Sequence, residues 1–142
     1  MKVLVAEPVA AAAVELLKAQ AGWDVVVSNP KDYAPHLADC DALLVRSAVK
    51  VTKEMLAKAP KLRVIGRAGV GVDNVDLDAA TGAGVLVLST PGGNAVSVAE
   101  HTVALMLAMA RSIPQASAST KAGKWEKKKF LGNELRSKTI GI

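Results

Sequence analysis

Arg63-Val64-Ile65-Gly66-Arg67-Ala68-Gly69-Val70-Gly71-Val72-Asp73-Asn74-Val75-Asp76 is a short apolar run that breaks into glycines. The run Arg63 to Gly66 predicts a buried strand. The glycines behind it let backbone N–H groups come close to a ligand. In open α/β sheets ligands bind at the carboxyl ends of the strands, so an anion is the expected visitor at this turn. Gly69-x-Gly71 begins like a dinucleotide fingerprint, but position 74 is Asn, and the third glycine of G-x-G-x-x-G is missing.

Working outward, four more runs predict strands: Lys2 to Ala6, Asp24 to Val27, Ala42 to Val45 and Val85 to Leu88. Helical segments lie between them. Ala10 to Ala19 is rich in Ala and Leu. Thr52 can cap a helix that ends near Ala59 ahead of Pro60. Asp73 or Asn74 is expected to cap Val75 to Thr81, with Gly82 and Gly84 breaking the helix. Strands alternating with helices over about 90 residues predict an α/β fold with a flavodoxin-like parallel sheet.

Ser89-Thr90-Pro91-Gly92-Gly93-Asn94 has turn chemistry throughout and leads away from the fifth strand. Ser97-Val98-Ala99-Glu100 has the spacing of a capping box, which predicts a helix from Ser97 to about Arg111. That helix is apolar almost all round, so it is expected to be buried between domains or subunits and is a candidate dimer contact. A weaker helix through Lys121 should follow Pro114, and Lys138 to Ile142 reads as the opening of another buried strand. Because domains rarely end on a lone strand, the chain is expected to continue past Ile142. The expected division is a substrate-binding domain over 1–90 and the start of a Rossmann nucleotide-binding domain over 91–142.

Composition narrows the function. Of the 18 basic and 13 acidic residues, eleven of each fall before residue 121. The whole excess of +5 therefore lies between Lys121 and Lys138, around Trp125. A charge confined to one loop argues against a nucleic-acid partner. The longest apolar stretch, Val103 to Ala110, is far below the roughly 18 residues that span a bilayer, so no membrane partner is expected. The single cysteine, Cys40, excludes an internal disulfide and makes a thiolate metal site implausible, which fits a reducing, cytoplasmic setting. No metal site is expected.

Candidate ligands cluster at the strand ends. Arg46 follows the third strand and Arg67 ends the fourth, so both can reach one edge of the sheet. Guanidinium groups match carboxylate and phosphate bidentately, and two of them suit a small acid with more than one negative charge. The competing reading pairs each with a local carboxylate such as Asp41 or Asp73. Asn94 offers a ligand both a donor and an acceptor, or caps the next turn. His36 and His101 are poorly placed for catalysis. His101, expected in the first turn of the long helix beside Glu100, does not face that neighbour.

Lys2 to Glu7, Val45-Arg46-Ser47, Arg67 to Asp76, Thr90-Pro91-Gly92-Gly93-Asn94, Ala99-Glu100-His101-Thr102 and Gly123 to Phe130, in that order, resemble the D-2-hydroxyacid dehydrogenase family on its phosphoglycerate-oxidising branch. The resemblance covers essentially the whole chain. It implies oxidation of D-3-phosphoglycerate to 3-phosphohydroxypyruvate with NAD, in serine biosynthesis. By resemblance, Arg46, Ser47, Arg67 and Asn94 hold the substrate's anionic groups, the Gly69-Val70 backbone faces the carboxylate, and Val70 borders the nicotinamide. The resemblance also implies a homodimer or homotetramer, with Ser97 to Arg111 as a candidate interface. The family's nucleotide loop and its catalytic residues would fall beyond Ile142. No catalytic residue is therefore assigned here, most of the NAD site lies outside, and the chain alone is expected to be inactive. Alternatives are a glyoxylate or hydroxypyruvate reductase, or a non-catalytic flavodoxin-like binding module.

Overall fold

The computed structural model describes residues 1–141. It divides into two compact units, Met1–Gly93 and Asn94–Ile142.

The first unit is built on five parallel strands: β1 (Lys2–Val5), β2 (Asp24–Val27), β3 (Ala42–Val45), β4 (Val64–Arg67) and β5 (Leu86–Leu88). Their order is β2-β1-β3-β4-β5, the flavodoxin-like arrangement expected from the alternation of runs. Helices α1 (Ala11–Lys18), α2 (Lys53–Ala57) and α3 (Leu77–Gly82) form the connections, together with a 3-10 turn over Ala34–Asp39. Side chains alternate across each strand. One set, Leu4, Leu43, Val45 and Ile65, packs with Leu37, Met55, Leu56 and Ala80 from the 3-10 turn, α2 and α3 to make the core. The opposite face carries Leu44, Val64, Gly66, Leu86 and Leu88. Leu86 and Leu88 are more than half exposed there.

Helix caps show where local signals win. The Thr52 hydroxyl accepts from the Met55 amide at 3.4 Å, as expected, and α2 ends at Ala57. The cap of α3 is neither Asp73 nor Asn74 but Asp76, whose carboxylate accepts from the Ala79 amide at 2.9 Å. The reason is a parallel bridge between Val51 and Val75, which keeps the chain out of the helix until Asp76.

In the second unit, α4 (Ala95–Ala110) and α5 (Ile113–Lys121) are joined through Ser112, whose φ is +49°. The expected capping box does not form: α4 starts at Ala95, which leaves Ser97 and Glu100 inside the helix, and Asn94 holds the cap position without a side-chain hydrogen bond. His101 accordingly lies in the second turn, not the first. Nor is α4 buried in this chain; none of its residues is, and Met109 is 81% exposed. The chain then folds back so that the Asn133 amide donates to the Ala110 carbonyl at 2.7 Å, satisfying one of the acceptors left at the end of α4. Lys138 to Gly141 form no strand, because a strand needs a ladder partner and none is present among the described residues; Ile142 lies outside them. Among the described residues, no single helix is long and apolar enough to cross a membrane.

Candidate functional site

The site begins with register. Val45 pairs with Arg67 across β3 and β4, so Arg46 and Arg67 leave the same carboxyl edge of adjacent strands. The Arg67 Nε donates to the Arg46 carbonyl at 3.2 Å. Its guanidinium also reaches the Asp73 carboxylate at 3.7 Å, although Asp73 itself is largely solvent-exposed. Arg67 thus has the local acid of the competing reading, and it sits at the edge beside Arg46. With only 13% of its side chain exposed, it is held rather than floating.

Arg46 is exposed and donates to the Pro8 carbonyl at 3.3 Å. It does not pair with Asp41, whose carboxylate is taken by the Lys2 amide at 2.6 Å. Pro8, Val9, Ala10, Arg46 and Ala68 line a cavity of about 410 Å3 at this edge. A cavity of about 690 Å3 between α2 and α3 includes no strand residue in its lining, and the Asp76 carboxylate there is already spent on the helix cap.

The glycine turn follows Arg67 directly. A side chain at Gly69 would overlap the Arg67 guanidinium, which explains why the position is bare. The Gly69 carbonyl accepts from the Thr90 amide at 2.9 Å, tying the turn to the segment after β5. Among the described residues, the amides of Val70 and Gly71 find no protein acceptor. Like the amides of Val72 and Asp73 further along the turn, they are donors without a protein partner. The Val70 side chain is 42% exposed, an apolar surface beside those donors. Ser47 lies next to Arg46 and is exposed. Asn94 opens the second unit and is exposed as well.

Two residues to which the sequence reading gave no site role hold the loop that carries Arg46. Glu7, just past β1, is 4% exposed, yet its carboxylate is fully engaged. Oε1 accepts from the amides of Arg46 at 2.9 Å and Val49 at 2.8 Å, and Oε2 from that of Ala48 at 3.0 Å. Burial pushes the Glu7 carboxyl up, but the amides of Val49, Ala48, Arg46 and Ser47 outweigh it, leaving its pKa below the ordinary value. Asn74, 9% exposed, donates through Nδ2 to the carbonyls of Arg46 at 2.9 Å and Val49 at 2.7 Å. Its Oδ1 is buried without a partner. Turning the amide over would set that oxygen against two carbonyls, so the assigned orientation is the favourable one.

In the second unit the basic loop is braced from within. Glu126 accepts from the Ser119 hydroxyl and from Lys129, and these two contacts, that of Lys129 foremost, lower its pKa. Trp125 beside it stands 83% exposed. Among the described residues, no cluster of three His, Cys, Asp or Glu side chains is arranged to hold a metal ion.

Comparison with known proteins bears on the family and the fold. Over its full length the chain is 50% identical to a D-3-phosphoglycerate dehydrogenase of Archaeoglobus fulgidus, of which it spans 27%. Over 80% of its length it is 55% identical to the D-3-phosphoglycerate dehydrogenase of Homo sapiens, of which it spans 21%. The chain thus spans about a quarter of the length of these relatives. Its structure superposes with a TM-score of 0.87 on an NAD-dependent formate dehydrogenase from Staphylococcus aureus solved with NAD, at 31% identity, covering all of this chain and 49% of that one. The profile of the D-isomer specific 2-hydroxyacid dehydrogenase catalytic domain matches residues 3–137. The chain belongs to the D-isomer specific 2-hydroxyacid dehydrogenase family.

Proposed function

We propose that this chain supplies the anion-binding part of an NAD-dependent dehydrogenase that oxidises D-3-phosphoglycerate to 3-phosphohydroxypyruvate. The observation that carries the reading is the convergence of Arg46, Arg67 and the uncommitted Val70 and Gly71 amides at one carboxyl edge of the sheet. A substrate with a carboxylate and a phosphate matches two guanidinium groups and a pair of backbone donors. Ser47, exposed beside Arg46, extends the polar lining. In this reading Met1–Gly93 is the substrate-binding unit, and the chain from Asn94 onward opens the nucleotide-binding domain.

NAD, with which the Staphylococcus aureus formate dehydrogenase was solved, would supply the hydride acceptor when bound. The residues present fit only its edge. Val70 offers an apolar surface suited to the nicotinamide, but no pyrophosphate cradle is available in the first unit. The helix after the glycine turn, α3, has six residues and carries the Asp76 carboxylate at its start, which repels phosphate. These residues therefore bind and orient the acid, and no proton transfer is assigned to them.

The all-round apolar α4, with Val96, Val98, Val103, Leu105 and Met109 more than half exposed, suits a homodimer contact. The reading is tested by titrating the isotope-labelled chain with D-3-phosphoglycerate and following amide shifts. Saturable binding that moves Val70 and Gly71, weakened at least about tenfold by Arg46→Ala or Arg67→Ala, is expected from losing a bidentate contact. Unchanged affinity in both variants would remove the arginines from the site, and equal affinity for glyoxylate would remove the phosphate from the substrate.

A further inference from the structure

The segment carrying Arg46 has no regular structure of its own: β3 ends at Val45, and α2 begins only at Lys53. Left to itself, a loop of this kind samples many conformations, and a guanidinium on it would lose entropy on meeting a ligand. Here both polarities of its backbone are held from opposite sides. Glu7, arriving from β1, takes the amides of Arg46, Ala48 and Val49. Asn74, arriving from the segment after the glycine turn, takes the carbonyls of Arg46 and Val49. The same Arg46 carbonyl also receives Arg67 Nε, so the backbone of one arginine anchors the head of the other.

We propose that Glu7 and Asn74 are positioning residues for the anion site: they clamp residues 46–49 from both sides and thereby fix where the Arg46 guanidinium meets its ligand. Neither touches the ligand. Both are buried, Glu7 spends its carboxylate and Asn74 its amide nitrogen on backbone, and Glu7 forms no ion pair with Arg46 among the described residues. The alternative is that they stabilise the fold and nothing more. This inference rests on the proposed role of Arg46 as an anion ligand.

The two alternatives separate in a double-mutant cycle on the dissociation constant of D-3-phosphoglycerate, measured on the full chain by amide-shift titration at a temperature where each variant is folded. Glu7→Gln is isosteric, keeps an acceptor toward Arg46 and Val49, and turns a donor toward the Ala48 amide. If Glu7 acts through Arg46, Glu7→Gln raises Kd by about tenfold in the parent and by less than about twofold when Arg46 is already Ala, because coupled residues are not additive. Asn74→Ala should show the same pattern, and it carries the test alone if Glu7→Gln does not fold. A rise of equal size in both backgrounds, or none in the parent, overturns the clamp while leaving Arg46 as a ligand. Failure of Arg46→Ala to weaken binding, or no saturable binding by the parent chain, overturns both the clamp and the reading beneath it.

Discussion

Replacing Glu7 by Gln should cost stability at neutral pH and cost much less in acid, and the size follows from three hydrogen bonds. At neutral pH the carboxylate receives the amides of Arg46, Val49 and Ala48. In the variant, two of these become ordinary neutral hydrogen bonds, each weaker by about 1 kcal/mol than a charge-assisted one. The third becomes a clash of donors that leaves the Ala48 amide unsatisfied, at a cost of about 1–3 kcal/mol. Removing a buried charge returns part of this, so a net loss of roughly 2–3 kcal/mol is expected. The sign of the pH dependence follows from the depressed pKa. The Glu7 contribution is fully present above the ordinary value of 4.5 and fades as pH falls through the lower folded-state value. Urea unfolding followed by Trp23 fluorescence, in a Trp125→Phe background so that the signal comes from the first unit, measures the difference between parent and variant. A difference that stays constant from neutral pH down to about pH 3 would refute the carboxylate's role in holding the loop.

Three further outcomes test other parts of the structure. Asp76→Ala should destabilise the first unit by about 0.5–2 kcal/mol in the same unfolding assay, through loss of the α3 cap, whereas Asp73→Ala should cost less. Gly69→Ala should displace the Arg67 guanidinium and weaken D-3-phosphoglycerate binding several-fold with little loss of stability, since the overlapping group is the end of a flexible side chain; retained affinity would show that Arg67 has another route to the site. Cys40 is fully buried, and its thiol is pushed to a higher pKa by burial, so it should resist a thiol reagent until the chain is unfolded.

The fold was legible because its signals are local. The runs that became β1 to β5 stand out by composition, and their parallel order follows from the helices between them. Arg46 and Arg67 were legible as a pair for the same reason, since strand ends in a parallel sheet face one edge. What failed was anything set by distant partners. The α3 cap shifted to Asp76 because Val75 pairs with Val51, a contact that spans 24 positions and leaves no mark on the local pattern. Ser97 and Glu100 have capping-box spacing, yet the preceding Ala95 and Val96 join the helix and draw its start forward. Glu7 was the hardest to read. Its partners are backbone amides 39 to 42 residues away, and an amide has no residue identity that a sequence can display.

The strand order carries one more consequence. From β1 the chain winds outward to β2, then doubles back past β1 to β3, so the direction of winding reverses between β1 and β3. In doubly wound sheets this reversal opens a crevice where a phosphate or flavin commonly lodges. Here the berth is taken by the protein's own anion: Glu7 leaves β1, and the amides it consumes leave β3. A phosphate offered to that crevice meets a carboxylate. In the proposed reading, an anion from solution is left the rim beyond that carboxylate, where the Arg46 side chain, Arg67 and the amides of Val70 and Gly71 still have something to give.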